Sequence, residues 1–205
     1  MTSKRGIFIT LEGGEGAGKT TQIQRLKNKL ESAGKKVVTT REPGGSAGAE
    51  AIRKLLVEGD THRWDPMTEA MLLYAARRDH VEKSVAPALA RGEWVISDRF
   101  YDSSTAYQGY GQGLSLSILD ELRKLSIGDL KPDVTFILDL PVEVGLKRAA
   151  VEQRYERMGI PFHEKLRQGF LAIAKAEPAR VKLVDANQPV EAVETAIWKI
   201  IQETL

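Results

Sequence analysis

The chain contains no cysteine. That excludes a disulfide scaffold, a thiolate metal site and cysteine nucleophile chemistry, and it fits a reducing compartment. No apolar run approaches the roughly 20 residues of a membrane span. The N-terminal stretch MTSKRGIFITLEGG offers only about five apolar residues before Glu12, too few for a secretory signal core. Net charge is scarce as well: 30 Lys+Arg against 28 Asp+Glu leave +2, too little to hold a nucleic-acid backbone by bulk electrostatics. Phosphate recognition in this chain must therefore be local. The expectation is a cytoplasmic protein with neither a nucleic-acid nor a membrane partner.

What is present is an ordinary globular composition, with 42% hydrophobic and 28% charged residues in 205, enough for one domain spanning 1–205. No repeat, low-complexity tract or linker divides it. Short apolar runs at Ile7 to Leu11, Val37 to Thr40, Trp94 to Ser97, Val134 to Leu140 and Val181 to Val184 read as strands. Helical spacing falls between them: Ile23, Leu26 and Leu30; Ile52, Leu55 and Leu56; then Leu114 to Leu125, Val142 to Ala150, Phe162 to Glu177 and Val190 to Thr204. Pro66 to Arg91 reads as one long or two abutting helices with Pro87 near a break. This alternation predicts an α/β fold, a five-stranded parallel sheet with helices on both faces. Ligands of such sheets bind beyond the carboxyl ends of the strands.

Residues 13–20 read GGEGAGKT, a full GxxxxGKT match placed after a strand and before a helix. Gly13, Gly14, Gly16, Ala17 and Gly18 can turn backbone N–H groups toward a phosphate, and the following helix adds its positive end. Lys19 would reach the β- and γ-phosphates and the Thr20 hydroxyl would ligate Mg²⁺. Glu15 repels what such a loop holds, so it must face something else, such as a substrate hydroxyl. Asp98 ends the third strand, where a second Mg²⁺ contact belongs, and Arg99 follows it. Arg41, Arg53 and the pair Arg77 and Arg78 come from separate segments, which suits a clamp on a second phosphate. Ser103, Ser104, Thr105, Tyr107 and Gln108 form a polar, ring-bearing cluster; Gln108 carries both a donor and an acceptor for a pyrimidine edge. Glu42-Pro43, in a tight PGG turn, is a candidate cis bond. His62, His80 and His163 have no metal spacing.

FITLEGGEGAGKTTQ, TREPGG, YAAR, VISDRF, DSSTAYQG, PDVTFILDL, VGLKR and FHEKLRQGFL, in that order, resemble the bacterial thymidylate kinases. The resemblance runs from Gly6 to the last helix. It implies a P-loop nucleoside-monophosphate kinase that phosphorylates dTMP to dTDP with ATP and Mg²⁺ in dTTP synthesis, working as a homodimer. By resemblance, residues 13–20 bind ATP, Glu15 lies near the sugar 3′-hydroxyl, and Arg99 and Arg77 hold the dTMP phosphate with help from Arg53. Ser104 and Gln108 read thymine, and Tyr107 disfavours a ribose. The arginine for the transferring group comes from a lid at about 149–160, with Arg148, Arg154 and Arg157 as candidates. The chain departs from the family pattern twice. Leu73 stands where the family usually stacks a Phe on thymine, leaving Tyr74 or plain apolar contact. The lid is short, because VGLKRAAV runs straight into EQRYERMGIPFHEK. Two rivals remain. A P-loop kinase for another metabolite lacks reason to carry the Gln108 cluster, and a GTP-type switch would carry an NKxD-type guanine reader, which is absent.

Overall fold

A computed structural model describes residues 5–60, 63–149, 155 and 157–204. Five parallel strands, β1 (Phe8–Glu12), β2 (Val37–Arg41), β3 (Trp94–Asp98), β4 (Val134–Asp139) and β5 (Val181–Asp185), form one sheet in the order β2-β3-β1-β4-β5. The helices are α1 (Lys19–Ser32), α2 (Ala47–Val57), α3 (Pro66–His80), α4 (Ala86–Ala90), α5 (Tyr101–Ser104), α6 (Leu116–Ile127), α7 (Val142–Arg148), α8 (Ile160–Ala176) and α9 (Val190–Thr204). Every strand expected from the apolar runs is present, with ends shifted by a residue or so.

The two sheet faces carry different helices because successive strand residues point to opposite sides. Ile9, Leu11 and Phe136 pack with Ile23, Leu26 and Leu30 of α1 and Val193, Ile197 and Ile201 of α9. Phe8 and Val95 pack with Tyr74 of α3 and Leu119 of α6. Phe8, Phe100 and Phe136 are fully buried, each contributing about 2–3 kcal/mol of transfer free energy. Among the described residues no helix is long and apolar enough to cross a membrane.

Helix starts follow local chemistry. Asp65 accepts the N–H groups of Met67 and Thr68, both at 3.0 Å, with Pro66 opening α3. The expected break near Pro87 is instead a π-helical turn at Val81–Val85, after which Pro87 sits in the first turn of α4. Pro at a first turn costs no internal hydrogen bond, so the proline opens α4 rather than ending a helix. The polar cluster after Asp98 is helical too: α5 runs into a second π-helical stretch at Thr105–Gly111. The Glu42-Pro43 bond is cis. The register sets Arg41 beside Asp98 and Asp98 beside Leu11, so the carboxyl ends of β1, β2 and β3 open on one place.

Candidate active site

That place is a cleft of about 550 Å³. Its floor is the loop between β1 and α1. Gly13 (φ 134°), Gly16 (φ 67°) and Gly18 (φ 83°) adopt left-handed conformations that L side chains rarely take. A Cβ on Gly13 would also stand 2.5 Å from the Leu138 carbonyl oxygen. The Lys19 ammonium folds back over the loop, donating to the carbonyls of Gly13 at 3.3 Å and Gly14 at 3.0 Å. Burial, and then the nearby Arg99 charge, lower its pKa. An anion seated in the loop would oppose both effects. The Thr20 hydroxyl donates to Asp98 Oδ2 at 3.3 Å.

Arg99 has a left-handed backbone, φ 69°. Its guanidinium reaches Gly13 O at 2.9 Å, Ser103 Oγ at 3.2 Å and Glu15 Oε1 at 3.1 Å. The same Glu15 oxygen accepts the Tyr107 hydroxyl at 2.5 Å, and Arg99 lies over the Tyr107 ring, 5.0 Å from its centre. Burial alone would raise the Glu15 pKa; Arg99 and Lys19 outweigh it and hold the carboxyl down at about 2. Burial pushes the Tyr107 phenol well up, so it stays a donor. Glu15 is thus turned away from the phosphate loop and tied to Arg99 and Tyr107, as its charge requires.

Arg77 is 2% exposed. Its Nε donates to Glu42 Oε2 at 2.7 Å, and Nη2 donates to Phe100 O at 3.2 Å and Ser104 Oγ at 3.0 Å, leaving Nη1 buried without a partner among the described residues. Arg53 donates to the Pro43 carbonyl at 2.7 Å. Arg41 pairs with Glu50 at 3.0 Å, and Arg148 donates to Ala186 O at 3.1 Å.

Lys19, Arg41, Arg53, Arg77, Arg99 and Arg148 all line the cleft, against Glu15, Glu42 and Asp98. Six cations and three acids give a local excess of +3 in a chain whose total is +2. Leu73, Ser104, Tyr107 and Gln108 complete the wall. Tyr74 instead lies in the core under the Arg77 guanidinium, 4.5 Å from its ring centre, which leaves apolar contact from Leu73 on that side. Arg78 turns outward to Ser126 O and Glu82. Arg157 is exposed and donates to Gly59 O. Arg154 and half of the expected lid, residues 150–154 and 156, lie outside the described residues.

Several residues of the site escaped the sequence reading. Glu12 is wholly buried, accepting the Phe100 N–H at 2.7 Å and the Ser103 hydroxyl at 2.5 Å. Glu42 accepts from Arg77 and binds His80 Nδ1 at 3.0 Å, while His80 Nε2 meets Thr40 Oγ1 at 2.7 Å. Glu69 on α3 is buried against Gln108. A carboxylate in a position that periodicity assigns to the interior was the available signal.

A phosphate loop on the central strand of a 2-3-1-4-5 parallel sheet, with a cationic cleft above it, defines a P-loop nucleotide kinase fold. The family model for thymidylate kinase matches residues 11–197. A thymidylate kinase from Caulobacter vibrioides is 52% identical over 98% of both chains, and one from Methylococcus capsulatus is 48% identical over 94% of this chain and 93% of its own. The crystal structure of thymidylate kinase from Ehrlichia chaffeensis, 35% identical, superposes with a TM-score of 0.81 over 96% of this chain and 99% of that one. The chain belongs to the thymidylate kinase family.

Proposed function

We propose that this cleft moves the γ-phosphoryl group of ATP to the phosphate of dTMP, giving dTDP. Phosphorylation of dTMP in dTTP synthesis is the activity of the family to which the chain belongs. The observation that carries the assignment to this cleft is the convergence of Lys19, Arg53, Arg77 and Arg99 from four separate segments on one cavity above the loop. Such a site suits two phosphate groups facing each other.

The attacking dTMP phosphate oxygen is already an anion, so no general base is required. Catalysis is positioning plus neutralisation. Residues 13–20 hold the ATP phosphates, with Lys19 displaced from its carbonyl partners onto the β- and γ-oxygens, and Arg148 supports the ATP side. Arg99 bridges the two phosphates, Arg53, Arg41 and Arg77 hold the acceptor nucleotide, and Arg154 is the residue we assign to neutralising the transferring group. Glu15, tied to Tyr107, takes the sugar 3′-hydroxyl. Ser104, Gln108 and Leu73 face the base. Thr20 and Asp98 supply hard oxygen donors 3.3 Å apart, with no sulfur or imidazole between them, a set that fits Mg²⁺. When bound there the ion would neutralise charge on the phosphate oxygens.

The whole chain acts as one kinase domain in the cytoplasm. A homodimer follows the same reading. Leu55, Met71, Leu116 and Leu125 are exposed on α2, α3 and α6, helices that pack side by side. A coupled assay with ATP and dTMP, dUMP, CMP or GMP tests the assignment; dTMP should be the best substrate. Turnover of CMP or GMP without dTMP would refute it.

A further inference from the structure

Glu69 sits on α3 with no solvent exposure. One of its oxygens, Oε1, accepts three donors: Gln108 Nε2 at 2.7 Å, Gln112 Nε2 at 2.8 Å and the Tyr155 hydroxyl at 2.7 Å. The first two come from the π-helical stretch and the residue just after it. Gln108 is 1% exposed and lines the cleft. With its nitrogen engaged, its remaining polar atom is Oε1, which is buried and has no hydrogen-bond partner among the described residues.

The amide of a glutamine can be turned either way, and the two orientations recognise opposite chemistry. A carboxylate oxygen only accepts. Turning the Gln108 amide over would set its carbonyl oxygen against Glu69 Oε1, exchanging a charge-assisted hydrogen bond for a repulsion. The nitrogen must therefore face Glu69 and the oxygen must be the atom left over. A buried acceptor without a partner is costly unless a ligand supplies a donor.

We propose that Glu69 is a positioning residue for base selection: it locks the Gln108 amide so that Oε1 meets a ring N–H. A lactam pyrimidine such as thymine or uracil carries that N–H at N3. Cytosine has a lone pair there and is rejected. The inference rests on the reading that Gln108 faces the base.

The test compares wild type with Glu69→Gln in steady-state kinetics on dTMP, dUMP, dCMP and N3-methyl-dTMP. The amide introduced by this substitution can face Gln108 with either a donor or an acceptor, so the lock is lost. Expected is a fall of about tenfold to a hundredfold in kcat/KM for dTMP, carried by KM, with the dTMP to dCMP preference reduced at least about tenfold. The penalty for N3-methylation should shrink in parallel, while the dTMP to dUMP ratio, which both bases' N3–H leaves out, stays as in wild type. Exchanging the pair, Glu69→Gln with Gln108→Glu, returns an acceptor to position 108 and should restore preference over dCMP. Equal losses on all four nucleotides, with ratios unchanged, would overturn the proposal. A wild type that ignores dTMP would overturn the cleft's function instead. Should Glu69→Gln fail to fold by circular dichroism, the free wild type decides. Its Gln108 side-chain amide, assigned in ¹⁵N spectra by its loss in Gln108→Met, should exchange its protons with solvent at least about tenfold more slowly than an exposed glutamine amide. Exchange as fast as an exposed glutamine would overturn the lock.

Discussion

Glu12→Gln is expected to change how stability depends on pH. Glu12 ends β1 beneath the phosphate loop, wholly buried. Burial, and then the Asp102 charge, raise its pKa from 4.5 to about 8, against the lowering effect of the Ser103 hydroxyl, Arg99 and the Phe100 N–H. The folded-state value therefore exceeds the unfolded one. Between about pH 4.5 and 8 the native protein keeps a proton that the unfolded chain has released. Stability linked to this group is fully present below the unfolded value and is lost as pH rises through the folded one. Each unit in that window costs about 1.4 kcal/mol. From pH 5 to pH 7 the loss is about 3 kcal/mol, a large share of a typical total of about 5–15.

A glutamine keeps the shape and the two contacts, accepting the Phe100 N–H and donating to Ser103 Oγ, yet it does not titrate. Urea unfolding of both proteins at pH 5, 6, 7 and 8 measures the effect. The stability difference should move by about 3 kcal/mol in favour of the variant between pH 5 and 7. Other groups that titrate there are common to both proteins and cancel. Glu15 does not intrude, because its folded pKa is lowered to about 2 and its contribution, present above the unfolded value, is lost only as pH falls toward 2. Parallel curves for wild type and variant would refute the assignment of a buried, proton-bearing Glu12.

Lys19→Ala should lower kcat/KM by about a thousandfold or more while circular dichroism and melting stay near wild type, since the ammonium donates to two loop carbonyls in the free protein. Chelation with EDTA should stop turnover in the coupled assay, and Thr20→Ala should raise the Mg²⁺ concentration needed for half-maximal rate. Gly16→Ala places a side chain at φ 67° and against the Gly145 carbonyl; urea unfolding should show a loss of at least about 1–2 kcal/mol. Tyr107→Phe removes the donor to Glu15 and should lower kcat/KM for dTMP about tenfold.

The sheet was legible because each strand is a short apolar run closed by glycine or a charged residue, and the phosphate loop because all its parts lie within eight consecutive positions. The stretch Tyr101–Gly111 was not, although it carries Ser104, Tyr107 and Gln108. Its π-helical second half abandons the 3.6-residue period on which helix recognition depends. Nor were the supporting carboxyls legible. Glu12 meets Ser103 across 91 positions, Glu69 meets Gln108 across 39 and Glu42 meets Arg77 across 35, so no window of sequence contains both members of a pair.

Those three acids share a design. Glu12 holds the Phe100 N–H and the Ser103 hydroxyl just after the left-handed Arg99, Glu42 holds Arg77, and Glu69 holds Gln108. Glu42 and Glu69 each engage one end of a forked group and leave the other end buried and without a hydrogen-bond partner among the described residues: Nη1 of Arg77, Oε1 of Gln108. A long, flexible cation or amide gains directional precision only when its other hydrogen-bonding atoms are already engaged. Glu42 also meets the charge of the arginine it holds, at 2.7 Å from behind the cleft, in a protein whose net charge is +2.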